Sequence, residues 1–444
     1  MSYKLAIINP KTKGIFHTAE PLNILALATY VQKTGINVKI IDEFAGDNIL
    51  NELKSFQPDL VGFTSVSCIY PKTLQLLKEV KSLGYRTIIG GSHASTLSEK
   101  TLEDGFDMVV VGEGEKILLE IISKGYKKGL FKAAKEDILK SEELIVPNRK
   151  LINMEFYCNY HNRSVHREGV RTATMHASRG CPFNCIFCHN TWRDTPVRFL
   201  SPEAMIQEVE QLIVNYNIKF IVFNDDNFFI DRKRAIRFCE LILKKNFSIT
   251  WATPTRPDSV DEEVLAIASQ AGCKTLAFGF ESGSQRILDV LNKKLSVQKN
   301  LDVIKLCRKY HIRTVGLFMV GNPTETKEDI RLTWNFIKKA KLDMIRIGPL
   351  TALPGTQLWD WCKKEGYIPE KIDFSNLYPN HASIQIPSTF LPRQIEIIKT
   401  KLIIKSYLLN GVWFKKVILS ILRHPIHMVR LIFDEINFTK KVLS

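Results

Sequence analysis

No stretch of roughly 18 uninterrupted apolar residues occurs in this chain of 444 residues, so a membrane-spanning helix is not expected. The opening MSYKLAIINPK lacks a basic region, a long apolar core and a small-residue cleavage site, so no secretory leader is expected and a cytoplasmic location is. Internal repeats and low-complexity segments are missing too. The nine cysteines are an odd number, and six of them (Cys68, Cys158, Cys239, Cys273, Cys307 and Cys362) stand alone. That usage argues against a disulfide framework and suits a reducing compartment. The net charge of +16 is accompanied by no recognition motif, and its lysines are spread over helix surfaces, so a solvated cationic surface is expected and a nucleic-acid partner is not.

What is present is ordinary soluble composition, 45% hydrophobic and 24% charged, at a length that suits two or three domains. From residue 3, short apolar runs alternate with amphipathic helical stretches. KLAIIN, NVKIID, LVGFTS, RTIIGG and DMVVVG are continuous apolar runs bounded by Gly, Pro or Asp, the pattern of strands buried on both faces. PLNILALATYVQKTG and PKTLQLLKEVKSLG each open with Pro and close with Gly, as helices do. The pattern predicts a doubly wound parallel sheet, a Rossmann-like domain over 1–125, whose ligands sit at C-terminal strand ends. Those ends carry Thr64, Ser65, Ser67, Gly90, Gly91, Ser92, His93, Gly112, Glu113 and Gly114. Residues 126–170 lose the rhythm and read as a linker with a little local structure.

The alternation resumes over 171–375 with TATMHAS, IKFIVF, SITWAT, TLAFGF, RTVGLFMV and DMIRIG as strands. Helices separate them, among them SPEAMIQEVEQLIVNY, where Ser201 caps and Pro202 takes the first helical position. Six βα units fall short of the eight that close a barrel, so a partial (β/α)6 barrel is expected, with its site at the C-terminal strand ends. Residues 376–444 read as a helical extension. Its apolar stripe carries Trp413, Phe414, Ile418, Ile421 and Leu422, and its basic side carries Lys415, Lys416, Arg423 and Arg430. Such a stretch covers the open barrel or meets a membrane surface peripherally.

Directly after the first barrel strand comes GCPFNCIFCHN, with Cys181, Cys185 and Cys188 spaced Cys-x3-Cys-x2-Cys. A structural zinc would want four ligands, and His189, adjacent to Cys188, is poorly placed to be the fourth. A four-iron four-sulfur cluster held by three thiolates keeps one iron open, as a catalytic metal centre does for its substrate.

This motif, with Phe187 before its last cysteine, resembles the signature of the radical S-adenosylmethionine (SAM) enzymes. The resemblance implies that a [4Fe-4S] cluster chelates SAM through its open iron and cleaves it reductively to a 5′-deoxyadenosyl radical. It also implies contacts at the strand ends. FNDDNFF offers Asn224, Asp225 and Asp226 to the methionine amino group, and Arg256 is placed for the carboxylate. FGFESGS offers Glu281 and Ser282 to ribose and carboxylate, and GLFMVGNPTET places Gly316, Phe318 and Met319 beside adenine. Glu281, Asp226 and Arg256 are the candidates for catalytic roles.

IGGSHAS, DMVVVGEGE, VPNRKLI and ALPGTQLWDWCKKEG, in that order, resemble the subfamily with an N-terminal cobalamin (B12)-binding domain, similar to the anaerobic magnesium-protoporphyrin ester cyclase and the cobalamin-dependent methylases. No Asp-x-His-x-x-Gly motif is present, so His93 is expected to line the pocket or bond locally, with cobalamin bound without a lower histidine and a domain that has lost cobalamin as the alternative. The resemblance implies C-methylation of an unactivated carbon, with an oxidative cyclase or rearrangement as the alternative and a corrinoid or iron-sulfur sensor as the alternative of another class. Transfer-RNA methylthiolation is disfavoured, because the first domain has only Cys68. The implied partners are a small substrate, hydrophobic or anionic, and a reduced flavodoxin or ferredoxin as electron donor.

Overall fold

The computed structural model describes residues 2–11, 19–160, 170–189, 195–377, 382 and 386–409. The residues singled out in the basic tail, Trp413 to Arg430, lie outside the described residues. The chain divides into two compact units. One comprises Met1–Asn184, His189–Leu276 and Tyr310–Ile312, the other Cys185–Cys188, Ala277–Lys309 and Arg313–Ser444.

The first unit begins with six parallel strands: β1 Lys4–Asn9, β2 Asn37–Asp42, β3 Leu60–Thr64, β4 Thr87–Gly90, β5 Met108–Val111 and β6 Gly129–Lys132. Their order is β2-β1-β3-β4-β5-β6, so the winding reverses between β1 and β3. Five strands are the apolar runs expected from the sequence. The helices Leu22–Gln32 and Glu115–Lys124 close one face, burying Leu25, Ala28, Val31, Leu118 and Ile121 against Leu5, Ile7, Ile40, Ile88 and Val110. The sixth strand, GLFK, lies within the stretch read as a linker and pairs only along β5.

That stretch is anchored by buried polar groups. The hydroxyl of Tyr157 donates to Asp42 Oδ2 at 2.6 Å. Arg149 Nη2 donates to Glu208 Oε1 at 2.5 Å and to the Thr174 carbonyl at 2.7 Å, and Nη1 reaches Glu20 Oε1 at 3.4 Å. Glu20 also accepts from the amide and hydroxyl of Thr174. Residues 126–160 are therefore bolted to the first strands of both sheets.

The second sheet contains β7 Thr172–Met175, β10 Phe220–Phe223, β11 Thr250–Thr255, β12 Cys273–Glu281, β13 Arg313–Val320 and β14 Met344–Pro349. Its order, β14-β13-β12-β11-β10-β7, follows the chain and leaves both edges open, the expected partial barrel. Between β7 and β10 a small antiparallel ribbon, β8 Ser178–Arg179 with β9 Arg198–Phe199, spans the cysteine segment. The helix Pro202–Tyr216 starts as its sequence predicts: Ser201 accepts from the Ala204 amide and Pro202 opens the first turn. In the first unit Phe223, Phe228, Phe238 and Trp251 pack edge to face or tilted, and in the second Phe278 stacks on Phe280, which meets Phe318 tilted, while Phe318 meets Phe336 edge to face. Among the described residues no helix is long and apolar enough to cross a membrane.

Candidate active site

The C-terminal ends of the first-unit strands surround a cavity of about 470 Å³. Thr64 and Ser65 after β3, Gly90 and Gly91 after β4, and Gly112, Glu113 and Gly114 after β5 form one wall. His176 to Gly180 after β7, with Asn224 and Asp226 after β10, form the other. The site thus lies where a doubly wound sheet and a βα barrel each present their ligand edge. The glycines give it its shape. A Cβ on Gly90 would meet nothing within 4 Å, and Gly91, at φ +93°, comes so near β3 that a Cβ would stand 2.6 Å from Thr64 Oγ1.

The nearby histidine of the first domain does not line this cavity. His93 and Ser67 are not among the residues lining the cavity. His93 is buried, stacks on the Tyr70 ring at 3.7 Å and bonds Ser67 Oγ through Nδ1 at 3.0 Å. Burial pushes its pKa down to about 4, so the ring is neutral. Glu113 is committed to structure: Oε1 pairs with Arg198 at 2.6 Å and Oε2 accepts from the Leu139 amide at 3.0 Å. Arg179 bridges to Glu115 at 2.7 Å, completing a charged rim.

Adjacent residues after β10 divide between two tasks. Asn224 and Asp226 line the cavity, and burial raises the Asp226 pKa. Asp225 turns away and accepts from the amides of Ala177 and Ser178 at 2.7 and 2.9 Å, fixing the chain just ahead of the cysteines. Its pKa is raised to about 6, chiefly by burial. Arg256, expected to fork onto a ligand carboxylate, forks onto Asp258 at 3.0 and 2.9 Å and lies 3.5 Å from the Phe183 ring centroid. Its planar cation props the start of the cysteine segment.

In the second unit Cys188 N donates to the Cys185 carbonyl at 3.1 Å, and Ile186 is held on both sides by Leu291 O and Leu358 N. None of the three motif cysteines is in a disulfide. Among the described residues no three His, Cys, Asp or Glu side chains are gathered as a ready metal site. His189, weighed as a fourth ligand, bonds Thr96 through Nε2 at 3.1 Å in the first unit.

Glu281, at the end of β12, has φ +61°, a left-handed conformation that costs a non-glycine residue about 1–3 kcal/mol. Its Oε1 pairs with Lys293 Nζ at 2.7 Å, both side chains being nearly buried. The pair lies over Gly279, where a Cβ would stand 2.4 Å from Glu281 Oε1, and Lys293 Nζ is 5.9 Å from the centroid of Phe187, the motif aromatic. Ser282 is buried and bonds Thr333 at 3.0 Å, and Gly283 allows that close approach, since a Cβ there would meet Thr333 Cα at 2.6 Å. Alternation along β13 sends Gly316 and Phe318 into the aromatic core, where Phe318 contacts Phe280 and Phe336, and turns Met319 toward the cluster that includes Phe187.

Sequence reasoning missed His176, Arg179 and Lys293. His176 caps β7 and faces the cavity, its pKa pushed down to about 4 by burial and by the Arg179 and Arg149 charges. The strand-end rule that selected Asn224 applies to it equally. Lys293 reaches Glu281 from a loop twelve residues on, which no spacing announces.

The Radical SAM superfamily model matches residues 175–337, and the B12 binding domain model matches residues 14–122. An uncharacterised methyltransferase of Pyrococcus horikoshii is 31% identical over 393 residues, 81% of this chain and 83% of its own length. An anaerobic magnesium-protoporphyrin IX monomethyl ester cyclase of Cereibacter sphaeroides is 30% identical over 342 residues, 72% of this chain and 55% of that enzyme, so the chain spans about half of it. Among solved structures, the cobalamin-dependent SAM radical enzyme OxsB, with aqua-cobalamin and SAM bound, superposes with TM-score 0.72 at 16% identity, over 96% of this chain and 75% of that one. The radical SAM methyltransferase TsrM of Kitasatospora setae gives 0.67 at 18% identity, over 82% and 75%. The chain is an enzyme of the radical SAM superfamily. Within it, the chain belongs to the group with an N-terminal B12-binding domain, whose cofactors are a [4Fe-4S] cluster, SAM and cobalamin.

Proposed function

We propose that this enzyme C-methylates an unactivated carbon of a small substrate, hydrophobic or anionic, in the cytoplasm, with reduced flavodoxin or ferredoxin as electron donor. The observation that carries the reading is the cavity walled by glycine strand ends on one side and by His176, Asn224 and Asp226 on the other. Such a cavity would take a corrinoid at the strand ends of the first domain. When bound, the cofactors supply a 5′-deoxyadenosyl radical from SAM and a methyl group from cobalamin. The residues do the rest. Cys181, Cys185 and Cys188 would hold the cluster, and Asp225 and Arg256 stiffen the segment ahead of and within which they stand. Glu281 and Lys293, paired at 2.7 Å, would hold the polar end of SAM. Gly90, where a Cβ would meet nothing within 4 Å, would leave room for a corrin near the backbone, and Gly91 lets that turn pack against β3.

The test is anaerobic retention of hydroxocobalamin by cluster-reconstituted protein, followed by transfer of a labelled methyl group from SAM to product. Retention with transfer supports the proposal. Retention with 5′-deoxyadenosine formation and no transfer would favour the cyclase-like reading that the 30% identity to the ester cyclase suggests. Absence of 5′-deoxyadenosine in a reduced, loaded sample would point to a sensor.

A further inference from the structure

A helix on a protein surface normally carries one apolar stripe, turned to the core. The helix Pro392–Leu409 carries two. Ile395 and Leu402 are buried, while Ile397, Ile404 and Leu408 are 46%, 53% and 63% exposed and Leu409 is 55% exposed. Positions 397, 404 and 408 fall seven and four residues apart, within about 40° of one another around the axis, so they form a second stripe aimed at solvent.

Cations border it. Arg393, Lys401 and Lys405 are exposed on the same side of the helix. Lys405 Nζ also lies 5.7 Å from the ring centroid of half-buried Trp334, and Lys338 Nζ lies 5.9 Å from it. Aliphatic residues flanked by lysine and arginine, with an indole at the margin, make the pattern of a helix that lies in a bilayer interface. The segment from Leu391 to Ser444 holds ten lysines and arginines against three acidic residues, a net +7 within a chain of net +16. Two copies meeting through this face by a twofold axis would bring the same cations together. An anionic surface neutralises them while the aliphatic stripe enters the acyl boundary.

We propose that the exposed face of helix Pro392–Leu409, with Trp334 at its edge, docks the enzyme peripherally on an anionic lipid bilayer. This docking is independent of the chemistry proposed above.

The test is sedimentation of full-length protein with vesicles of phosphatidylcholine alone, or with about one-third phosphatidylglycerol, at low and high salt. The expected result is partition to the anionic vesicles, weak binding to the neutral ones, and release as salt screens the attraction. The double variant Ile404→Glu, Leu408→Glu should lose at least about tenfold in partition. Lys401→Glu with Lys405→Glu, at positions exposed enough to spare folding, should abolish the preference for phosphatidylglycerol. Cluster iron content and 5′-deoxyadenosine formation without lipid should match the parent in both. Wild-type protein that stays in the supernatant with anionic vesicles, or variants that partition as the parent does, would overturn the proposal. So would a parent dimer without lipid that Ile404→Glu, Leu408→Glu makes monomeric while vesicle binding is unchanged, because the face would then be an interface between copies.

Discussion

Arg149 of the VPNRKLI segment stands between two carboxylates that water does not reach, and replacing it by Met measures what it holds together. Its side chain is 4% exposed, Glu208 is 1% and Glu20 is 0%, with contacts of 2.5 and 3.4 Å. The triad carries two negative charges and one positive, and the Thr174 amide and hydroxyl offset part of the excess at Glu20. Met fills similar volume but strands both carboxylates, and removal of one partner from a buried pair costs about 3–5 kcal/mol. For a unit of this size each kcal/mol moves the midpoint by about 2–4 °C, so Arg149→Met should lower the first unit's thermal transition by roughly 6–20 °C. Differential scanning fluorimetry of apoprotein reads it, and Arg149→Lys, which keeps the charge without the fork, should fall between. The loss has a pH signature. Burial already raises the Glu208 pKa with Arg149 in place. Without the guanidinium, the folded Glu208 carboxyl titrates further above its unfolded value, so the folded variant binds more protons than the unfolded chain does. Its stability therefore falls as pH rises through that window, and the deficit should narrow as pH is lowered from about 8 toward 5. A fall of less than about 2 °C, or a deficit that is flat with pH, would refute the argument that these carboxylates are ionised against Arg149.

Cys185→Ala should lose most of the cluster iron after anaerobic reconstitution, and unchanged iron content would remove the cluster assignment. Glu281→Gln and Lys293→Met each delete one half of a nearly buried pair, worth about 1.5–3 kcal/mol as a charge-assisted bond, so SAM affinity by equilibrium dialysis should drop about tenfold or more with iron retained. Equal affinity in both would place SAM elsewhere. Gly90→Leu projects a side chain into open space at an ordinary strand backbone, so hydroxocobalamin retention should fail while iron content and melting temperature hold. A variant that still retains the cofactor stoichiometrically would move the corrin off this wall.

The first sheet was legible because its central strands are covered on both faces. Ile7, Ile8, Ile40, Ile41 and Val61 are all within 5% of complete burial, and strands covered on both faces appear in sequence as unbroken apolar runs between breakers. β6 escaped notice for the converse reason. It lies at an edge, its Leu130 and Phe131 are only half-buried, and four residues opening with Gly leave no pattern to detect. The anchoring of residues 126–160 was equally hidden, since Arg149, Tyr157 and Asn148 find partners more than a hundred residues away in Glu20, Asp42 and Thr29.

Site residues are harder to read because their position along a strand is visible while their direction is not. Successive residues at a strand end point to opposite faces, and a bend of one peptide exchanges them. Asp225 and Asp226 are chemically identical, yet one is consumed by the amides of Ala177 and Ser178 and the other lines the cavity. The same parity sends Phe318 into the core and turns Met319 toward the Phe187 cluster. Sequence shows which strand ends gather, and the choice of working side chain is made by the backbone at the last residue of each strand. Glu281 illustrates this best: only its left-handed turn after β12 carries the carboxylate back over Gly279 to Lys293. An extended residue there would point elsewhere, so the strain at that one peptide is the device that builds the charge pair beside the cysteine turn.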